Sequence, residues 1–100
     1  MTGPEISVVI PVYNEEAILA DSVAGLRAGL AAEGWDFEIW LAENGSRDRT
    51  RALAEELAAG DPRIGWFSCP TPNYGAALRM GIERARGRFV LCEEIDLCDL

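Results

Sequence analysis

Four short apolar runs recur along the chain at nearly regular spacing, and this feature constrains the fold most. The runs begin near residues 6, 37, 64 and 88, at intervals of 31, 27 and 24 residues. Each interval is long enough for one helix and its two connections. Strands that alternate with helices at this period are typical of right-handed βαβ units around a parallel sheet. The sequence therefore predicts an α/β fold: a Rossmann-like parallel sheet of about four strands with flanking helices.

Apolar periodicity places the helices between these runs. Four residues after the first run recur at spacings of four, three and four, which is one face of a helix. They are Leu19, Val23, Leu26 and Leu30. We expect this helix to begin at Glu15, with Asn14 as its cap, and to stop at Gly34. The predicted strands cover residues 6–12, 37–42, 64–68 and 88–92, and the third helix covers about 75–85.

Charge and composition exclude several classes of function. The 100-residue chain has 17 acidic and nine basic side chains, so its net charge is −8, and it contains no histidine. This acidic excess argues against a nucleic-acid partner, which requires a basic face. Without histidine there is no Ser–His or Cys–His nucleophile pair and no imidazole metal ligand. A metal would have to be held by oxygen or thiolate. The length fits a single domain over residues 1–100.

The cysteines and the amino terminus predict a cellular location. Cys69, Cys92 and Cys98 form an odd set, and no export signal precedes them, which is typical of reduced thiols in a cytosolic compartment. The most apolar stretch, residues 6–12, is much shorter than the roughly 18 residues of a membrane span. We therefore expect a cytoplasmic chain without a transmembrane segment.

Polar, acid-rich residues follow three of the four predicted strands. They occupy residues 13–15, 43–46 and 94–96. Parallel sheets of this kind bind ligands outside the carboxyl ends of their strands, near a switch in strand order. The sequence therefore predicts one polar rim built from these three segments.

Individual residues of this rim allow more than one interpretation. Tyr13 suits stacking beside a base or sugar, or packing on its neighbours. Glu15 either lines a site or complements a helix dipole. Glu43 can accept a hydrogen bond from an imide N–H such as that of uracil. Glu94 and Asp96 share one side of an extended segment, which suits Mg²⁺ or Mn²⁺, although a solvated acidic loop has the same composition.

Taken in order, four segments resemble the nucleotide-binding half of family 2 glycosyltransferases, which have the GT-A fold. Residues 6–16 (ISVVIPVYNEE) resemble the opening strand and loop of that family. Residues 43–50 (ENGSRDRT) resemble its first acidic segment, residues 73–87 its Asn-x-Gly helix, and residues 94–96 its DxD metal motif. The resemblance spans residues 5–99. Polyprenyl-phosphate sugar transferases are the subgroup that the chain resembles most.

The resemblance implies a role for each matching residue in holding a nucleotide-diphosphate sugar. Pro11, Tyr13 and Glu15 would line the nucleotide pocket, and Glu43 would recognise the base. Gly75 would allow close approach of the backbone to the donor.

Other matching residues would contact the diphosphate. Arg79 is either a phosphate contact or a solvated helix arginine. Glu94 and Asp96 would bind a divalent metal, Mg²⁺ or Mn²⁺, that bridges the diphosphate. Glu43 and Glu94 each replace an Asp of the family pattern and are one methylene longer, which puts the affinity for metal in question.

The implied activity is metal-dependent, inverting transfer of a sugar to an acceptor hydroxyl or a polyprenyl phosphate. The general base and the acceptor site are expected beyond residue 100, so we expect an amino-terminal fragment that is inactive alone. Such a chain would be poorly stable, or would self-associate through the edge at the fourth strand. A lipid acceptor would place the protein at the inner face of the membrane. The alternative is a non-catalytic nucleotide-binding or interaction module derived from the same fold.

Overall fold

The computed structural model describes residues 3–70 and 72–95, which form an alternating series of strands and helices. The elements are β1 (Ile6–Val12), α1 (Leu19–Ala32), β2 (Phe37–Glu43), α2 (Thr50–Gly60), β3 (Ile64–Ser68), α3 (Tyr74–Arg84) and β4 (Phe89–Cys92). The predicted α/β alternation is confirmed. The boundaries of the four strands and of α3 agree with the sequence prediction to within one residue.

All four strands are parallel and lie in the order β3-β2-β1-β4. The register aligns Ile6 of β1 with Phe37 of β2 on one side and with Phe89 of β4 on the other. The chain thus adds β2 and β3 on one side of β1 and then crosses to add β4 on the other. The switch in strand order lies between β1 and β4, and the carboxyl ends of these strands are where a ligand site is expected.

Alternate residues of the strands build two cores on opposite faces of the sheet. The larger core packs the sheet against α1 and α2 and contains the four apolar residues predicted for one face of α1. The smaller core packs α3 on the other face. It contains Val9, Ala42, Phe67 and Ala77. Because both faces are covered, β1 is buried along its whole length, as its near-continuous apolar sequence predicts.

The start of α1 differs from the prediction. The helix begins at Leu19 rather than at Glu15, and no side chain caps it. Asn14 adopts a positive φ of 51°, which turns the chain away from a helical path directly after β1. The carbonyl of Glu15 then accepts hydrogen bonds from the N–H groups of Ile18 (3.1 Å) and Leu19 (2.9 Å). The predicted stop at Gly34 is confirmed, since this glycine takes the left-handed conformation with φ 79°.

A buried carboxylate ties the amino-terminal ends of three strands together. Glu38 of β2 accepts hydrogen bonds from Ser7 Oγ (2.6 Å) and from the backbone N–H of Arg86 (2.7 Å). The guanidinium of Arg86 donates to the other carboxylate oxygen from Nε (3.1 Å) and Nη2 (3.0 Å). Ser7 Oγ also accepts from the N–H of Gly87 (2.8 Å). These contacts fix the connection from α3 to β4 against β1 and β2.

Two further expectations concern the cysteines and the membrane. Cys69 is buried and Cys92 is exposed, whereas Cys98 lies outside the described residues. Among the described residues, no helix combines the length and the apolar character needed to cross a bilayer.

Candidate functional site

A pocket opens at the carboxyl ends of β1, β2 and β4, beside the switch in strand order. Its floor and walls come from the end of β1, the loop after it, the residue after β2, the first residue of α3 and the segment after β4. The lining residues are Pro11, Val12, Tyr13, Glu15, Asn44, Tyr74, Glu94 and Ile95. The structure thus brings together residues from the three rim segments that the sequence analysis identified.

Four of the predicted site residues line this pocket. Pro11 is the sixth residue of β1 and is buried, whereas Tyr13 follows the strand and leaves 42% of its surface exposed. Glu15 follows β1 and Glu94 follows β4, the two neighbouring strands at the switch in strand order, and both residues line the pocket. An exposed ring beside an apolar wall can receive a planar group, and the carboxylates can bind a hydroxyl or a cation.

Glu43, which is expected to recognise a base, is not among the residues that line this pocket. It is the last residue of β2 and is only 1% exposed. Its Oε2 accepts from the N–H of Ser46 (2.5 Å), and its Oε1 accepts from Ser68 Oγ (2.7 Å). Burial raises the pKa of Glu43, but the hydrogen bonds from Ser46 and Ser68 outweigh it and leave the pKa below its usual value. The carboxylate organises its own loop.

Asn44, which the sequence analysis did not select, occupies the pocket instead. It is 7% exposed, and its backbone N–H donates to the carbonyl of Val12 (2.9 Å), which fixes it beside β1. Its side-chain Oδ1 accepts from the backbone N–H of Asn73 (2.7 Å), the residue that caps α3. Asn44 therefore joins the end of β2 to the start of α3 at the pocket wall.

Tyr74 is a second lining residue that the sequence analysis missed. It is the first residue of α3, it is 50% exposed, and its hydroxyl donates to Glu94 Oε1 at 3.3 Å. Partial loss of hydration, together with the negative charge of Glu94, raises the pKa of Tyr74 above its usual value. Tyr74 thus bridges α3 and the segment after β4 across the mouth of the pocket.

Two further predicted site residues, Gly75 and Arg79, do not line the pocket. Both are exposed on α3. A side chain at position 75 would meet only the cap side chain, Asn73 Oδ1, at 3.7 Å, so no close approach of described atoms requires glycine there. Asp96, the second predicted metal ligand, lies outside the described residues.

Hydrogen bonds between two loops hold one side of the pocket. The N–H of Asn14 donates to Ser46 Oγ (2.9 Å), and Asn14 Oδ1 accepts from the N–H of Arg47 (2.9 Å). The N–H of Glu15 donates to Thr50 Oγ1 (2.7 Å), a hydroxyl at the start of α2. The loop after β1 is therefore pinned to the loop after β2, which fixes the backbone on either side of Tyr13 and Glu15.

The metal prediction rests on a single carboxylate in the described part of the chain. No group of three or more His, Cys, Asp or Glu side chains there could hold a metal ion. Glu94 does present a carboxylate in the pocket. Hard oxygen is what Mg²⁺ and Mn²⁺ prefer, and such ions commonly complete their shells with substrate phosphates and water. The donor chemistry of Glu94 therefore fits a cation that is shared with a phosphorylated ligand.

Comparison with known proteins points to one family. The model of "Glycosyl transferase family 2" matches residues 7–98. The undecaprenyl-phosphate 4-deoxy-4-formamido-L-arabinose transferase of Pseudomonas paraeruginosa is 40% identical over 94 residues, which is 92% of this chain and 28% of that protein. The glycosyltransferase AglD of Haloferax volcanii is 37% identical over 100 residues, covering 95% of this chain and 16% of that protein. The chain thus spans less than a third of the length of these relatives.

Solved structures show the same fold. A crystal structure of Staphylococcus aureus TarS, residues 1–349 in complex with UDP, superimposes with a TM-score of 0.71 at 24% identity. The match covers 92% of this chain and 27% of that structure.

Proposed function

Since this chain belongs to glycosyl transferase family 2, we propose that it forms the donor-binding part of an enzyme that moves a sugar from a nucleotide-diphosphate sugar to an acceptor. One observation carries the proposal: the pocket lies at the carboxyl ends of β1, β2 and β4, at the switch in strand order, and presents Tyr13 beside carboxylate and amide groups. This is the place and the chemistry that a nucleotide requires on a parallel sheet.

The comparisons support the classes of donor and acceptor. The Pseudomonas relative is named for transfer of a sugar to undecaprenyl phosphate, and the TarS structure was solved with UDP. We therefore favour a uridine-type donor and a polyprenyl-phosphate acceptor, with an acceptor hydroxyl as the other option. A lipid acceptor would place the protein at the cytoplasmic face of a membrane.

Within the pocket, the aromatic ring and the apolar wall would hold the base. The exposed ring of Tyr13 offers a stacking face, and Pro11 and Val12 exclude water behind it. Stacking of a base on an aromatic side chain contributes about 1–3 kcal/mol. The hydrogen bonds of Asn14 to Ser46 and Arg47 join the loops after β1 and β2, so the backbone next to Tyr13 is fixed without a ligand.

The segment after β4 would receive the diphosphate. Glu94 and Asp96 are the residues that would hold Mg²⁺ or Mn²⁺, and such a cation supplies positive charge against a leaving diphosphate. The net charge of −8 makes that charge necessary, because the acidic rim by itself repels a diphosphate. The Tyr74 hydroxyl keeps the Glu94 carboxylate at the mouth of the pocket.

We propose an inverting reaction in which the acceptor oxygen displaces the nucleotide directly at the anomeric carbon. When the acceptor is a hydroxyl, a general base takes its proton as the new bond forms, and the nucleoside diphosphate leaves with the electrons of the broken bond. The residues of this chain bind and orient the donor. The general base is expected outside residues 1–100.

Isothermal titration of the chain with UDP and GDP, in MnCl₂ or in EDTA, tests this proposal. We expect UDP to bind in MnCl₂, and we expect EDTA to weaken that binding. Tyr13→Ala should weaken it about tenfold, whereas Tyr13→Phe, which keeps the ring, should change it little. Glu94→Gln should reduce the effect of Mn²⁺, with Glu93→Gln as the matched control because Glu93 does not line the pocket. Nucleotide binding that neither EDTA nor Tyr13→Ala affects would refute the proposal.

A further inference from the structure

Tyr74 lies on a firmly held backbone at the mouth of the pocket. It is the first residue of α3 and follows the cap residue Asn73, whose Oδ1 accepts from the N–H of Ala76 (3.0 Å). The N–H of Asn73 donates to Asn44 Oδ1 (2.7 Å), and the N–H of Asn44 donates to the carbonyl of Val12 (2.9 Å). The start of α3 is therefore tied to the carboxyl ends of β2 and β1.

The backbone at Glu94 is anchored on both sides. The N–H of the preceding residue, Glu93, donates to the carbonyl of Val9 in β1 (3.0 Å). The following residue, Ile95, is 3% exposed and belongs to the larger core. Glu94 itself is exposed and lines the pocket. The backbone of this segment is thus fixed, but that alone does not fix the position of the Glu94 carboxylate.

The Tyr74 hydroxyl restricts where this carboxylate can lie. A glutamate side chain has one more rotatable bond than aspartate, so an exposed glutamate samples many positions. The Tyr74 hydroxyl donates to Glu94 Oε1 at 3.3 Å, and a tyrosine ring places its hydroxyl through few torsions. Since a carboxylate can accept about four hydrogen bonds, this contact does not prevent it from binding a cation.

We propose that Tyr74 is a positioning residue for the cation site, and that the long side chain of Glu94 supports metal-dependent nucleotide binding because the Tyr74 hydroxyl restrains it. This inference rests on the proposed function, because it assumes a cation shared between Glu94 and a nucleotide diphosphate. Partners that hydrogen-bond to a ligating carboxylate orient it, and their loss commonly reduces metal affinity by roughly 10- to 100-fold. Tyr74 and Glu94 are both exposed, so water competes for their hydrogen bond. We therefore expect a smaller effect of about fivefold.

The variant Tyr74→Phe removes the hydroxyl and keeps the ring. Titration calorimetry of the chain with UDP, in MnCl₂ and in EDTA, gives two affinities whose ratio measures the contribution of the metal. We expect Tyr74→Phe to lower this ratio about fivefold. The affinity in EDTA should change by less than about twofold, because the phenyl ring still lines the pocket. Melting curves establish that the variant folds.

The variant Glu94→Asp shows whether the hydroxyl acts through Glu94. Its shorter side chain carries the carboxylate away from the Tyr74 hydroxyl. In this background Tyr74→Phe should change the ratio by less than about twofold, and the double-mutant cycle measures that coupling. Glu93→Asp is the matched control, because it shortens a neighbouring carboxylate that is not among the residues lining the pocket. There, Tyr74→Phe should keep its effect of about fivefold.

The outcomes separate this inference from the proposed function. If the wild-type chain does not bind UDP, or binds it equally in MnCl₂ and in EDTA, the metal-dependent function fails and the inference fails with it. If Mn²⁺ strengthens UDP binding and Tyr74→Phe leaves the ratio unchanged, the inference alone is overturned. A loss of affinity that is equal in MnCl₂ and EDTA also overturns it, since Tyr74 would then shape the pocket without positioning Glu94. An undiminished effect of Tyr74→Phe in the Glu94→Asp background leads to the same conclusion.

Discussion

Gly81 of α3 lies against the side chain of Val9 in the middle of β1, and a Cβ added at position 81 would overlap Val9 Cγ1. Val9 is fully buried, so it cannot move aside without disturbing the smaller core. We predict that Gly81→Ala destabilises the chain by about 1–3 kcal/mol, the usual cost of overpacking a core. The midpoint of urea denaturation, followed by circular dichroism, measures this loss.

Gly25 of α1 provides the matched control for that substitution. It is also a helical glycine, but among the described residues no atom beyond the adjacent backbone of its own helix lies within 4 Å of the position that its Cβ would take. Gly25→Ala should stabilise the chain by about 0.5–1 kcal/mol, because alanine favours the helix. Equal effects of the two substitutions would contradict the close packing of α3 on β1.

Glu38 gives stability that depends on pH. Burial raises the pKa of Glu38, but hydrogen bonds from Ser7 and Arg86 outweigh it, so the folded pKa lies below the ordinary value of 4.5. A carboxyl whose pKa is lowered on folding stabilises the protein above its unfolded pKa. That contribution is lost as the pH falls through the folded pKa. We therefore predict that the melting temperature decreases below about pH 4.5.

The same carboxylate can be tested by substitution. Glu38→Gln should cost about 1–3 kcal/mol at pH 7, because it removes hydrogen bonds to a charged group. It should also flatten, without abolishing, the acid dependence, since Glu43 has a lowered pKa as well. Glu33→Gln, at an exposed position after α1, should change stability by less than about 0.5 kcal/mol. Thermal melts from pH 7 to pH 3 measure this. If the melting temperature of Glu38→Gln fell with pH as steeply as that of the wild type, Glu38 would not be a source of the acid dependence.

Glu43 either organises its own loop or contacts the base, and a substitution distinguishes these two roles. Its oxygens are occupied by Ser46 and Ser68, and it does not line the pocket. Glu43→Gln keeps one oxygen and should lower stability by about 1–2 kcal/mol while leaving the affinity for UDP unchanged. A selective loss of UDP affinity in this variant would favour direct contact with the base.

The fourth strand presents an apolar edge that should drive self-association. In the described part of the chain β4 pairs only with β1, and its Phe89, Val90 and Leu91 side chains are exposed. A strand with unpaired backbone groups and apolar side chains can pair with a second copy. We expect sedimentation velocity to show a concentration-dependent increase in mass, and Leu91→Lys should reduce it. Ile82→Lys, at an exposed position on α3, should not.

Much of the architecture could be predicted because periodicity reports directly on burial. The α1 residues selected by their spacing, Leu19 to Leu30, are all buried, and Gly34 has the positive φ expected after a helix. The buried β1 and the βαβ alternation follow from the same physics. These features depend on contacts that are repeated along a strand or helix. A wrong assignment of one residue therefore does not change the predicted element.

The site was less predictable because it depends on single residues. Glu43 and Asn44 are adjacent, and successive residues at the end of a strand point in opposite directions. Residue spacing alone does not show that Asn44 lines the pocket while the Glu43 carboxylate is taken up by its own loop. Tyr74 reaches Glu94 only because β4 lies beside β1, which residue spacing does not reveal.

The hydrogen bonds between Asn14, Ser46 and Arg47 also constrain how such a pocket can be re-engineered. The loops after β1 and β2 each supply a donor and an acceptor to the other, so neither has a complete set of partners alone. If one loop were replaced by that of a related protein, polar groups of the other loop would lose their hydrogen-bond partners. The two loops therefore depend on each other structurally. A library that alters the ligand preference of the pocket should exchange both loops together.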